Sequence, residues 1–206
     1  MLGLVAVTPE TLTLSRRLSR AQAARRSAAI AAARALAAEG GDAAVTMQAV
    51  AERSGVGRAT LYRYFASKDH LLAEVVVAWG ADLTAELRAS PPAAALPGER
   101  VAEVLLRVLE AARAEPRLTA AVLASATSPD PEAIRAGARF GSLIRSYLDV
   151  ALGEAPSPER DELAALLGHV FFSSVLHMTS GRIAPGEAAA AVRAAARRLL
   201  QEGAPR

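Results

Sequence analysis

The residues best suited to chemistry in this chain lie close together between Gly57 and Phe65, and they are cationic, hydroxylic and aromatic. An arginine can bind the O6 and N7 atoms of guanine with two hydrogen bonds, and hydroxyl and phenol groups suit phosphate or thymine. A short helix that carries these groups on one side is shaped and charged for the major groove of DNA. The predicted outer face consists of Arg58, Ala59, Thr60, Tyr62, Arg63 and Tyr64. Arg63 on this face contacts phosphate or is simply solvated.

A second pattern, on a later helix, invites an enzyme interpretation. His169, Ser173 and His177 are spaced four residues apart, so they share one helix face. A nucleophilic serine needs a base and nearby oxyanion donors, and backbone amides inside a helix are already used. The two histidines are also far apart for one metal ion, with no carboxylate at a suitable step. We therefore expect no catalytic residue, no metal site and no cofactor.

The elements that must present the first group are two short helices joined by a tight turn, over residues 46–69. Gly55 lies at the turn, where glycine adopts a left-handed backbone without steric cost. Ala51 permits a close approach of the two helices. Met47, Val50, Val56 and Leu61 supply the apolar positions between them, and Leu61 and Phe65 are predicted to face inward. This arrangement leaves the other side of the second helix free.

The segment Thr60-Leu-Tyr-Arg-Tyr-Phe-Ala-Ser-Lys-Asp-His-Leu-Leu72 closely resembles the signature of the TetR family of transcriptional regulators. The resemblance covers residues 20–80 well and only the helical architecture beyond. It implies that Tyr62 and Tyr64 touch DNA, that Lys68 grips a phosphate, and that Thr46 and Gln48 contact backbone or base edges. It also implies a nine-helix protein with a helix-turn-helix head and a body that binds a ligand and dimerises.

Composition supports an all-α protein. The chain has 206 residues, is 52% hydrophobic and has no cysteine. Much of the apolar content is alanine, the strongest helix former, while glycine and proline cluster between the alanine-rich runs. The absence of cysteine excludes disulfides and thiolate metal sites. No apolar run long enough to span a membrane is free of Arg or Glu, and the N-terminus is a poor signal peptide. We expect a cytoplasmic protein without a membrane partner.

Charge is distributed unevenly and suggests the domain organisation. Residues 1–68 carry ten basic and four acidic side chains, whereas residues 69–206 carry 14 arginines and 17 acidic side chains. A basic first third on a mildly acidic remainder is typical of a DNA-binding head on a solvated body. We predict an N-terminal arm over 1–18, a helix-turn-helix domain over 19–68, and a ligand-binding and dimerisation domain over 69–206. Arginines in the arm either reach DNA or are solvated.

Capping residues and breakers predict the helix positions. Ser19, Thr46 and Ser67 are plausible N-caps, and Gly40-Gly41 and Pro185-Gly186 are clear breaks. The nine predicted helices cover residues 19–39, a second from Thr46, 57–65, 68–88, 99–114, 117–126, 130–153, 159–180 and 187–202.

The body is predicted to hold a small effector and to form a dimer. Helix 159–180 is apolar on more than one side, which favours burial on two faces. The predicted dimer residues are Ala165, Gly168, Phe172, Val175, Ala188, Val192, Ala195 and Leu199. The predicted ligand-contacting residues are Trp79, Leu123, Phe140, Leu143, Ile144, Tyr147, Phe171, His177 and Met178. A helix buried inside a monomer, and ordinary core duty for each wall residue, are the alternatives.

The effector is expected to be apolar. Phe171-Phe-Ser-Ser174 with Ser180-Gly-Arg-Ile183 is similar to the branch of the family that regulates sterol and lipid catabolism. That resemblance implies a large apolar effector or an acyl-CoA. The function that follows is a ligand-responsive regulator, a repressor by family expectation. It binds double-stranded DNA as a homodimer at an inverted-repeat, palindromic operator. The alternatives are a DNA-binding regulator controlled by a protein partner and, far behind, a helical hydrolase.

Overall fold

The computed structural model describes residues 19–153 and 157–201, and these residues form helices and connecting turns with no strand. The predicted arm over 1–18 lies outside the described residues, as do residues 154–156 and 202–206. The helices are α1 Arg20–Gly40, α2 Met47–Ser54, α3 Arg58–Tyr64, α4 Lys68–Ala89, α5 Pro97–Ala114, α6 Pro116–Ala126, α7 Pro131–Gly137, α8 Arg139–Leu152, α9 Pro158–Thr179 and α10 Pro185–Gln201. A short 3-10 turn, Asp42–Ala44, connects α1 to α2.

The all-α prediction is confirmed, with one difference in the middle of the body. The helix predicted over residues 130–153 is interrupted at Ala138, between α7 and α8. Ala138 keeps right-handed helical backbone angles, so the chain bends there without leaving the helical region. Gly137 directly before it has a low helix propensity, which permits the interruption. Counted as one interrupted helix, α7 and α8 bring the described helices to the nine predicted.

The helix starts follow the capping chemistry of the sequence. Ser19 forms a reciprocal capping box with Gln22. The Thr46 hydroxyl accepts a hydrogen bond from the Ala49 amide at 3.0 Å, and the Ser67 hydroxyl accepts one from the His70 amide at 3.0 Å. Proline occupies the first turn of α5, α6, α7 and α9, where its missing amide proton removes no helical hydrogen bond.

Helix α4 is the central element of the fold. It packs against α1 on the side of the first three helices, and against α6, α7 and α8 on the side of the body. Its sequence matches this position, because Leu71, Leu72 and Val75 are fully buried and Trp79 nearly so. A movement of α4 therefore displaces both groups of helices.

Helices α5 and α10 approach each other closely at the far end of the body. Gly98 in α5 is buried, and a Cβ added there would lie 3.1 Å from the Cα of Arg197 in α10. A side chain at this position would press on the main chain of α10, so glycine favours the close approach of the two helices. The neighbouring α9 is long and apolar enough, by length and composition alone, to cross a membrane. That is weak evidence, since core helices of soluble proteins also meet this criterion.

Candidate DNA-binding surface and effector cavity

Helix α3 is fixed by a small apolar core and presents its other side to solvent. Gly55, at the turn before it, has the left-handed φ of 68° that the sequence predicted. Leu61 and Phe65 are fully buried, as expected, and Val56 nearly so. Arg58, Ala59 and Arg63 are exposed, Thr60 is half-buried, and Tyr62 is 50% exposed. The apolar core therefore fixes the orientation of α3, with the Tyr62 side chain and the guanidinium groups of Arg58 and Arg63 facing outward.

The exposed cations of α3 lack anionic partners within the described residues. Arg58 makes no ion pair or hydrogen bond there, and the Arg63 guanidinium lies 5.8 Å from the centre of the Tyr64 ring. Elsewhere in the fold arginines meet carboxylates, as where Arg53 reaches Glu39 at 2.6 Å. Two unpaired guanidinium groups on one helix face make a local positive potential, which attracts a phosphate backbone.

Tyr64 is placed differently from the rest of the predicted DNA-contacting set. Its hydroxyl is buried, and it has no hydrogen-bond partner among the described residues. The ring packs edge-on to Phe65, with centroids 6.2 Å apart. The Tyr64 side chain is half-buried and packs against the head's apolar core, whereas Tyr62 is exposed.

Three further predicted DNA-contacting residues lie beside α3 with local partners. Thr46 and Gln48 are exposed at the start of α2, where Thr46 caps the helix and the Gln48 amide donates to Glu52. The ammonium group of Lys68 lies 2.8 Å from a carboxylate oxygen of Asp42, and its side chain is 34% exposed. A phosphate contact by Lys68 would therefore compete with this partly exposed ion pair.

The body contains a partly open cavity of about 320 Å³ between α4, α5, α6, α7, α8 and α9. Six of the predicted ligand-contacting residues line it: Trp79, Leu123, Phe140, Leu143, Tyr147 and Phe171. Ile144, His177 and Met178 do not. Ile144 is fully buried in the core beside Gly168, while His177 and Met178 are half-buried near the end of α9. Phe172 and Val175, predicted for the dimer, also line the cavity.

Sequence reasoning missed most of the α4 wall, although its signal was present. Ala73, Val76, Val77, Gly80 and Leu83 recur at the spacing of one helix face and all line the cavity. Alanines and glycines of α5, α6 and α7 line it as well: Ala112, Ala126, Ala133, Ala136 and Gly137. Such residues look like ordinary helix formers in a sequence this rich in alanine, so their role in leaving space is visible only in three dimensions.

The cavity wall offers one side-chain hydroxyl without a partner within the described residues. Thr119 and Ser125 also line the cavity, but they donate at 2.8 Å to the carbonyls of Ala112 and Val122. The Tyr147 hydroxyl makes no hydrogen bond there, although the residue is buried. Burial raises the pKa of Tyr147, so its phenol stays protonated and available as a donor.

The predicted dimer residues divide into two groups in the structure. Ala188, Val192 and Val175 are buried inside one protomer, so they face its own interior. Ala165 is exposed and Gly168, Phe172, Ala195 and Leu199 are half-buried. Leu166 of α9 is 45% exposed and joins the outward set, which sequence reasoning missed.

A helix-turn-helix head with an outward basic helix, joined by one helix to a body with an apolar cavity, defines a ligand-responsive DNA-binding regulator. Residues 29–75 match the family model of bacterial regulatory proteins of the tetR family, and residues 95–199 match that of the tetracyclin repressor-like C-terminal domain. The chain belongs to the TetR family of transcriptional regulators. These proteins are not enzymes, and they bind DNA and small-molecule effectors.

Individual relatives agree with this assignment. The chain is 30% identical over 189 residues to the HTH-type transcriptional repressor KstR of Rhodococcus jostii, covering 91% of this chain and 88% of the relative. A TetR transcriptional regulator from Rhodococcus sp. RHA1 superposes with a TM-score of 0.82 at 29% identity, covering 90% of this chain and all of that one. Thermus thermophilus FadR, a repressor solved with lauroyl-CoA, has the same fold: its TM-score is 0.64 at 21% identity, covering 88% and 96% of the two chains.

Proposed function

We propose that this chain is a repressor that binds an inverted-repeat operator as a homodimer in the cytoplasm and leaves it when a lipid-like effector fills the body. The observation that carries the proposal is the pairing of two sites in one fold. Helix α3 presents arginines that have no anionic partner among the described residues, and the body contains a cavity with apolar walls. Helix α4 packs against both regions. KstR, the relative that covers most of this chain, is itself named a repressor.

The homodimer is proposed from the outward faces of α9 and α10, which pack side by side. Ala165 and Leu166 are exposed on α9, and Gly168 beside them permits close helix contact. Ala190 and Ala194 continue this small, apolar surface on α10. A second copy packed here would complete a four-helix seam. Two heads placed about 34–36 Å apart would then reach successive major grooves on one side of the duplex.

The proposed DNA contacts divide by chemistry. Arg58, in the first turn of α3, is assigned to a guanine edge, because a bidentate contact there discriminates bases. Thr60 and Tyr62 are assigned to phosphate or thymine, and Thr46, Gln48 and Arg63 to the groups that flank the groove. Lys68 is assigned to a phosphate, in exchange for its ion pair with Asp42. Tyr64 is proposed to support α3 from inside, since its hydroxyl is buried.

The proposed effector has an apolar body and one hydrogen-bond acceptor. The cavity walls are aliphatic and aromatic, so they bind hydrocarbon surface, and the Tyr147 hydroxyl, which has no partner among the described residues, can donate to a ligand oxygen. A carbonyl that accepts from Tyr147 meets both requirements. Acyl chains and sterols are the candidates. The likeness of 171–174 and 180–183 to the sterol and lipid branch supports this class, and the FadR fold holds an acyl-CoA.

The test is a selection from random duplex DNA by the purified chain, followed by gel-shift titration. We expect an enriched inverted repeat, a complex of two protomers per duplex, and release on addition of lauroyl-CoA or of progesterone as a steroid probe. Failure to enrich any sequence would refute the regulator. Enrichment of a palindrome that no lipid probe releases would instead favour control by a protein partner.

A further inference from the structure

Helix α4, which packs against both the head and the body, carries a buried carboxylate at Glu74. The Glu74 side chain is 6% exposed, yet three cationic or polar groups converge on it. Arg26 reaches one oxygen at 2.7 Å, Arg139 donates to the other, and the Nε2 atom of His70 lies 3.6 Å away. Such a cluster is expensive to disturb, because a buried charge that loses its partners is strongly destabilising.

Glu74 remains ionised within this cluster. Burial opposes its ionisation, but the nearby His70, Arg139 and Arg26 side chains outweigh burial and lower the pKa of Glu74 to about 2. The negative charge is therefore permanent at any physiological pH, and the position of each cation depends on it.

Arg26 and His70 also contact Phe65, the residue directly after α3. The Arg26 guanidinium lies 5.3 Å from the centre of the Phe65 ring, directly after α3. The His70 ring lies 5.8 Å from the same ring, and its Nδ1 atom accepts a hydrogen bond from the Ala66 amide at 3.2 Å. Phe65 is fully buried, so Arg26 and His70, which contact Glu74, also hold the C-terminal end of α3 in place.

The third partner comes from the cavity wall. Arg139 begins α8 directly after the interruption at Ala138, and its neighbours Gly137 and Phe140 both line the cavity. Its Nε atom is buried without a partner among the described residues. Arg139 is therefore held by Glu74 but is not saturated, which leaves it able to exchange one arrangement for another.

A second contact connects the same two regions. The Ser128 hydroxyl donates to the Asp69 carboxylate at 2.5 Å, in the first turn of α4. Ser128 follows Ala126, another cavity-lining residue, by two positions. Both the end of α6 and the start of α8 are thus tied to the first two turns of α4, beside α3.

We infer that Glu74 is a positioning residue that passes the state of the cavity to the recognition helix, through Arg139 on one side and Arg26 and His70 on the other. The inference rests on the proposed function. A ligand that displaces the α7–α8 bend moves Arg139, and the carboxylate then draws its other two partners into a new arrangement. Because the charge is buried, the cluster shifts as a unit and does not simply open.

A mutant cycle tests this inference without DNA and without an effector. Ala136→Leu fills part of the cavity from α7, as a permanent occupant. Arg139→Met removes the connection to Glu74, and Arg145→Met is the matched control, since Arg145 lies on the same helix and pairs with Asp161 at 2.6 Å on the surface. The measured quantity is amide hydrogen exchange over residues 61–68 in each single and double variant.

We expect Ala136→Leu to change exchange in this segment roughly tenfold, in line with measured coupling networks. Arg139→Met should abolish that change, and Arg145→Met should leave it intact. If the two effects simply add, Arg139 only holds the head to the body and the inference is overturned. It is also overturned if Ala136→Leu leaves residues 61–68 unaffected. Arg139→Gln replaces Arg139→Met if the latter does not fold.

These outcomes are independent of the proposed function. Duplex selection measures DNA recognition, whereas the exchange cycle measures only the connection between cavity and head. A chain that selects no operator but shows the non-additive cycle would keep the link and lose the regulator.

Discussion

The outer face of α3 and the cavity of the body remain able to bind a ligand for opposite reasons. Among the described residues, the cations of α3 have no anionic partner, although Arg34 in α1 meets both Asp82 and Glu115. In the body the chain leaves apolar surface uncovered, although the surrounding helices are densely packed. Folding leaves charged groups without partners at α3, and these favour an anionic ligand. It leaves apolar groups uncovered in the cavity, and these favour an apolar ligand.

The two regions also differ in how their groups are held. The α3 face depends on a few large side chains, such as Leu61 and Phe65, which fix a seven-residue helix too short to be stable alone. The cavity depends on small residues, such as Gly80 and Ala136, which withhold bulk from the centre of six helices. Substitutions should therefore damage the first site by removing atoms and the second by adding them.

The largest effect is expected from removing atoms at the base of α3. Phe65→Ala leaves a cavity in the head core and should destabilise the chain by about 3–5 kcal/mol, with loss of operator binding. Chemical denaturation and gel shift measure both effects. Tyr62→Ala, at a half-exposed position on the same helix, is the control for stability and should change it little. Equal destabilisation by both variants would show that α3 is not held from Phe65.

The next effect is on base recognition. Arg58→Ala should lower discrimination at one base pair in each half-site by about 1–3 kcal/mol, because one bidentate guanine contact is lost. Competition gel shifts with single-base operator variants measure this. Arg135→Ala, which breaks only a surface pair with Glu132, is the control. Unchanged discrimination in Arg58→Ala would move base reading to another residue of α3.

Adding atoms to the cavity wall should weaken effector binding and leave DNA binding alone. A Cβ at Gly80 would clash with the Leu143 side chain, 2.7 Å from its Cδ2 atom, so Leu143, which lines the cavity, must shift. Gly80→Ala should reduce affinity for the lipid probe roughly tenfold, a loss of about 1.4 kcal/mol.

Isothermal titration measures the affinity, and Gly141→Ala is the control, since nothing lies within 4 Å of an added Cβ there. If Gly80→Ala binds the probe as tightly as the unmodified chain, the probe does not occupy this cavity.

A smaller effect on ligand affinity is expected from the Tyr147 hydroxyl, which has no partner among the described residues. Tyr147→Phe should reduce affinity for progesterone by about 0.5–1.5 kcal/mol, the contribution of one hydrogen bond. The free chain should keep its stability or gain slightly, because no internal hydrogen bond is lost. Equal affinity of the two proteins for a carbonyl-bearing probe would remove Tyr147 from ligand recognition.

The smallest effect concerns the phosphate contact. Lys68→Ala should weaken binding to all duplexes alike and reduce the salt dependence by about one unit per head. The loss is moderated because Lys68 must leave Asp42 to reach DNA. Titrations at several salt concentrations measure the slope, with Arg113→Ala, paired to Glu110, as the control. An unchanged slope would assign Lys68 to the head's own stability.

Local signals in the sequence were sufficient for the elements and for the recognition helix. Capping residues, prolines and the φ requirement at Gly55 act within a few residues, so they determine helix positions before the chain is packed. Apart from Tyr64, the inward and outward faces of α3 followed from the same local spacing. The α7–α8 interruption was missed, because a single glycine within an alanine-rich helix is a weak break until neighbouring helices bend the chain around it.

Features that depend on packing between distant parts of the chain could not be predicted from the sequence. The spacing of Phe172 and Val175 marks them as apolar, but only packing decides between a cavity and a dimer face. Tyr64 shows the same problem, since its hydroxyl is buried while its neighbour Tyr62 is not. Glu74 was not identified at all. Its partners come from α1 and α8, which are far apart in sequence, and no local pattern brings Arg26 and Arg139 together.

The backbone contact at Gly98 has a consequence for any movement of this molecule. Helices that touch main chain to main chain have no side-chain layer to absorb sliding, so α5 and α10 form a rigid base. We therefore expect a ligand in the cavity to displace the end of the fold where α4 begins more than the end where α5 and α10 meet.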